Sequence, residues 1–70
     1  MDNSITIIFN GHDRQVSGGV TVEQLLKEAD INSRFVAIEL NGEILPRQQC
    51  VVRILEPRDI IEVVTLVGGG

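Results

Sequence analysis

Residues 21–30, TVEQLLKEAD, carry the pattern that most restricts what this chain can fold into. Val22, Leu25, Leu26 and Ala29 recur at i, i+3, i+4 and i+7, which puts them on one continuous side of a helix. Thr21 and Gln24 have the spacing of a capping box: the threonine hydroxyl accepts from the N–H of residue 24, and the glutamine side chain reaches back to the N–H of residue 21. Glu23 in the first turn suits the positive end of the helix dipole. A helix of about ten residues is marginal alone in water, so its apolar side must lie on another element.

The remaining segments supply strands for it to cover. Residues 5–9, ITIIF, form a β-branched run followed by Asn10-Gly11, a dipeptide that accepts positive φ at both turn positions. A hairpin is predicted, with a more polar return strand at 12–16 and a release from the sheet at Gly18 and Gly19. Residues 35–40, FVAIEL, alternate like a strand, and Asn41-Gly42 turns the chain into a second short strand at 43–45. Pro46 stops that ladder because it has no N–H to donate. Residues 47–57 mix charges with aliphatic side chains and read as an irregular or 3₁₀ connection that tucks apolar groups underneath.

The last strand is 60–66, IIEVVTL. One of its faces carries Ile60, Val64 and Leu66, and the other carries Ile61 and Val63. A strand apolar on both faces belongs in the centre of a sheet. The expected architecture is α+β, a mixed sheet of about four to five strands with one main helix packed across it. Seventy residues suffice for one core, and the division expected is a domain over 1–66 and a glycine tail over 67–70.

A domain this small needs some source of stability, and Cys50 has no second cysteine to pair with. One His and one Cys also fall short of a zinc ligand set, so packing of the Ile, Val and Leu side chains must suffice. The formal charge of −4 argues against a nucleic-acid partner, which would call for clustered positive charge. No apolar run has the roughly 18 residues of a membrane span. A cytoplasmic protein is expected, monomeric when free and holding no cofactor of its own.

The tail, Val67, Gly68, Gly69 and Gly70, has no side chain larger than valine. Extended, four residues reach about 13 to 14 Å, enough to enter another protein's active site. A frayed terminus is one reading of it. The other is a chemical handle, because a terminal glycine has no Cβ to hinder approach to its acyl carbon. A free carboxylate is a poor electrophile, so such use requires activation, most simply as an acyl adenylate made from ATP by a separate enzyme. Attack by a sulfur nucleophile would then leave a thiocarboxylate on Gly70.

The stretches VTVEQLLKEADI, FVAIELNGEILPR and DIIEVVTLVGGG together resemble the ThiS family of sulfur carriers, which have the ubiquitin-like β-grasp fold. The resemblance covers essentially the whole chain, and Asn41, Gly42, Pro46, Arg47, Gly69 and Gly70 are its most specific parts. It implies that the chain is not an enzyme and that a ThiF-type adenylyltransferase activates Gly70 with ATP. A sulfur donor such as a cysteine desulfurase persulfide would follow, and the thiazole synthase ThiG would receive the sulfur for thiamin thiazole. Relatives often have Trp where this chain has Cys50 and Gly-Asp where it has Arg58-Asp59, departures that bear on packing and turn geometry. The molybdopterin carrier MoaD is usually longer.

Three rivals share the same residues: a ubiquitin-like modifier joined through Gly70 to a target lysine, a carrier delivering sulfur to molybdopterin or tRNA, and a β-grasp interaction module with an inert tail. Cys50 reads as a small buried hydrophobe rather than a sulfur relay. His12 reads as a solvated hairpin residue, Gly18-Gly19 as a plain turn, and Arg47, Arg53 and Arg58 as a solvated face. One helix covers one side of a sheet, so Ile61 and Val63 are candidate partner-docking residues if they point away from it; otherwise the 47–57 connection covers them.

Overall fold

The computed structural model describes residues 3–66. Strand β1 is Ser4–Phe9 and β2 is His12–Ser17, joined through Asn10 at φ 52° and Gly11 at φ 83°. Helix α1 is Val22–Glu28, and a 3₁₀ turn at Ser33–Phe35 leads into β3, Val36–Leu40. Strand β4 is Glu43–Leu45, a short helix α2 is Arg47–Cys50, and β5 is Ile60–Thr65. The five strands make one mixed sheet in the order β2-β1-β5-β3-β4, with β1 and β5 parallel and the other neighbours antiparallel. This is the β-grasp arrangement, with β5 in the centre as its two apolar faces predict.

The helix forms where expected and is shorter than its pattern. Both halves of the capping box are made, Gln24 N–H to Thr21 Oγ1 at 3.2 Å and Thr21 N–H to Gln24 Oε1 at 2.9 Å. Its other end closes at Glu28, because Asp30 turns left-handed at φ 60°. The N–H of Asp30 then bonds the Lys27 carbonyl and that of Ile31 bonds the Leu26 carbonyl, which is a Schellman closure. Ala29 is therefore the cap rather than part of the buried stripe.

One core lies between the sheet and α1. Val22, Leu25 and Leu26 of the helix meet Ile7, Val16, Ile38, Leu40 and Ile61 of the sheet. The connection after β4 joins them through Cys50 and Leu55, and it begins as a true helical turn, α2. Backbone bonds from Val22 N–H to the Arg53 carbonyl and from Leu55 N–H to the Val20 carbonyl hold it beside the start of α1. The connection thus packs on the same side of the sheet as the helix and leaves the opposite side open. Gly18 is needed in the turn before α1: its N–H bonds the Asn3 carbonyl, and a Cβ there would come within 2.7 Å of that oxygen.

Candidate functional site

The residues proposed from the sequence to carry the chemistry, Val67, Gly68, Gly69 and Gly70, lie outside the described residues. What the structure places is the strand that leads to them. β5 is bonded on one side to β1 and on the other to β3, with Ala37 beside Val64 and Val36 beside Thr65. Beyond the strand, the Leu66 N–H still bonds the Phe35 carbonyl at 3.0 Å, so pairing continues to the last described residue. The Asn10 side chain adds a bond from the β1–β2 turn, accepting from Val63 N–H at 2.8 Å.

The start of β5 is fixed as firmly. Asp59, only 6% exposed, takes the Asn41 side-chain amide on Oδ1 at 3.1 Å. Its Oδ2 takes the Glu56 N–H at 2.8 Å and Arg53 Nη2 at 3.1 Å. Asn41 completes the joint through its own backbone and side chain, donating N–H to the Ile60 carbonyl and accepting the Ile60 N–H on Oδ1. A buried carboxylate is tolerated when its oxygens are satisfied and a cation lies beside it, and Asp59 has both. The sequence reading missed this cluster. Arg53 is not part of a solvated face: its guanidinium pairs with Asp59 and also donates to the Ile54 carbonyl. Arg47 and Arg58 are exposed, as expected.

The candidate docking residues are corrected by the burial of β5. Ile61 is fully buried and belongs to the core, and Val63 is half-buried and packed against it. Register explains this, since Ile61 stands beside Leu40 and Phe9, both of which face the helix side. The open side of β5 carries Ile60, Glu62 and Val64 instead. Of the other residues singled out, Cys50 is buried, and burial raises its thiol pKa, with the charge of Glu23 adding to the rise. His12 is exposed on β2 opposite Phe9. No group of three or more His, Cys, Asp or Glu among the described residues is arranged to hold a metal.

Comparison with known proteins places this geometry. The model of the ThiS family matches residues 7–70. The sulfur carrier protein ThiS of Escherichia coli is 33% identical over 64 residues, covering 91% of this chain and 97% of that protein. A thiazole synthase of Paramagnetospirillum magneticum is 39% identical over 64 residues, which are 91% of this chain, and the chain spans 20% of that protein's length. The crystal structure of the thiamine biosynthesis protein ThiS from Geobacter metallireducens superposes with a TM-score of 0.82 at 28% identity, covering 94% of this chain and all of that one.

Proposed function

Because the chain belongs to the ThiS family, whose members are sulfur carriers of thiamin biosynthesis and not enzymes, we propose that Gly70 is the group that carries sulfur. The observation that carries this reading is that the family match runs through residue 70, beyond a central strand that pairs with β1 at its start and with β3 along its length, the Leu66 N–H still bonding the Phe35 carbonyl. A rigid strand with side-chain-poor glycines after it suits delivery of an acyl group into a narrow active site.

The chemistry proposed for Gly70 has three steps, all catalysed elsewhere. Its carboxylate oxygen attacks the α-phosphorus of ATP on a ThiF-type adenylyltransferase, forming the acyl adenylate and releasing pyrophosphate. A persulfide sulfur from the donor then attacks the acyl carbon and expels AMP. A thiol cleaves the resulting acyl disulfide and leaves the thiocarboxylate. Thiazole synthesis on a ThiG-type synthase is the proposed destination, and the match of this chain to one fifth of a thiazole synthase supports it.

The test is intact-mass spectrometry after incubation with ATP, a ThiF-type enzyme and a persulfide donor. Replacement of one oxygen by sulfur, localised to Gly70 by fragmentation, is the expected result. Branched adducts through a lysine would favour a protein modifier instead. No change in mass, with an enzyme active on its own carrier, would overturn the carrier reading.

A further inference from the structure

We propose that two copies of this chain associate weakly back to back through the connection after β4, across a two-fold axis that sets Glu23 of each copy against Arg47 of the other. The connection is anchored in the core at both ends, by the buried Cys50 and Leu55. Between these anchors Val51, Val52 and Ile54 stay outside, 52%, 70% and 52% exposed. The charged residue among them, Arg53, turns its guanidinium to Asp59, so what the segment shows to solvent is aliphatic.

The segment is also held in place. The N–H groups of Val52 and Arg53 both bond the Gln49 carbonyl, Val22 N–H bonds the Arg53 carbonyl, and Ile54 forms a bridge with Thr21. Aliphatic side chains on a backbone already fixed lose little freedom when a partner covers them.

Charges beside this group select the partner. Glu23, Arg47, Gln48 and Val51 line one open groove of about 390 Å³, with Glu23 on the α1 wall and Arg47 on the α2 wall. Glu23 holds Lys27 of its own helix at 3.5 Å through Oε1, and Arg47 has no ion pair among the described residues. A partner carrying one sign of charge would be repelled at one wall. A second copy turned through 180° is not, because in a two-fold interface residue i meets j and j meets i. Each Glu23 then finds an Arg47, and the aliphatic groups meet near the axis.

The patch is small against the roughly 20 to 30 residues a side of a standard interface, so dilute protein stays monomeric and pairing needs a high local concentration. The connection lies on the helix side of the sheet, so the pair leaves the opposite face of each sheet uncovered. The inference is independent of the carrier chemistry.

The experiment is sedimentation equilibrium up to millimolar concentration for wild type, Glu23→Arg, Arg47→Glu and an equimolar mixture of the two variants. Wild type is expected to move from the mass of one chain toward that of two. Each variant alone puts like charges at both contacts and should associate roughly ten-fold or more weakly. The mixture should regain association, because the new arginine of one chain faces the new glutamate of the other; misfolded variants would not do so. Wild type that stays monomeric throughout, or pairing that both reversals leave intact, would overturn the proposal. Variants that lose association and fail to regain it when mixed would do the same. A monomeric wild type whose sulfur transfer falls on Val52→Asp would also overturn it, and would give the patch to an enzyme partner.

Discussion

The side-chain amide of Asn41 donates to the buried carboxylate of Asp59 at 3.1 Å, bonding the β3–β4 turn to the residue just before β5. Asp59 also ties in β1, since its main-chain carbonyl accepts the Ile8 N–H at 2.9 Å. Three stretches far apart in sequence thus converge where the central strand begins. Asn41 can take part because it holds φ 53°, a left-handed conformation that asparagine tolerates better than most residues.

Asp59→Ala is expected to cost about 2 to 4 kcal/mol, since it leaves the Asn41 amide, the Glu56 N–H and the half-buried Arg53 guanidinium without their acceptor. Asp59→Asn retains one acceptor oxygen and should lose less. Urea denaturation measures both; equal midpoints for Asp59→Ala and wild type would show that the cluster contributes nothing to stability.

Arg58 stands at φ 69°, where a β-carbon costs roughly 1 to 2 kcal/mol. Glycine removes that cost and keeps the N–H that bonds the Thr6 carbonyl, against an added chain entropy of about 0.4 to 1 kcal/mol. Arg58→Gly should therefore stabilise by about 0.5 to 1 kcal/mol and raise Tm by roughly 2 to 8 °C. A Tm at or below that of wild type would contradict the strain argument.

What was legible in the sequence is what is decided locally. The capping box, both Asn-Gly turns and the central place of β5 depend on residues close together in the chain, and all are found. The facing of β5 is not local: with Ile60 and Ile61 adjacent and both aliphatic, alternation fits either orientation. Pairing with Leu40 and Phe9 decides it, and that register is set by strands far away in sequence. Arg53 was misread for a related reason. A charge among other charges looks solvated until the chain folds back over the next six residues and brings Asp59 beneath it.

Leu26 is 1% exposed and sits between the helix and the sheet. Leu26→Ala should cost about 2 to 5 kcal/mol, the range for truncating a buried leucine. That is a large part of the stability of so small a domain, so partial unfolding at 37 °C by circular dichroism is expected. A Tm equal to wild type would mean that the apolar side of α1 has been misassigned.

Removal of Gly69 and Gly70 is expected to leave the melting curve unchanged, because the described core and its hydrogen bonds end at Leu66. Under the carrier reading it abolishes ATP-dependent pyrophosphate release with a ThiF-type enzyme. Gly70→Ala should also keep its fold while slowing sulfur transfer, since the added methyl crowds the acyl carbon. Transfer at the wild-type rate by Gly70→Ala in a reconstituted thiazole assay would argue against that crowding.

Cys50 offers a test of the core that is independent of any partner. Burial pushes its thiol above the ordinary value of 9.0, and the negative charge of Glu23 pushes further in the same direction. The folded chain therefore holds the thiol proton more tightly than the unfolded chain does. This contribution to stability is intact below pH 9.0 and declines as pH rises from there through the folded value, where the folded thiol also ionises. Iodoacetamide at neutral pH should label the native protein slowly and the urea-unfolded protein quickly. Cys50→Ser, whose hydroxyl does not titrate in this range, should be less stable throughout but show a flatter alkaline limb. Rapid stoichiometric labelling of the native protein, or alkaline limbs that run parallel in the two chains, would place this sulfur at the surface, where a role in carrying sulfur would have to be reconsidered.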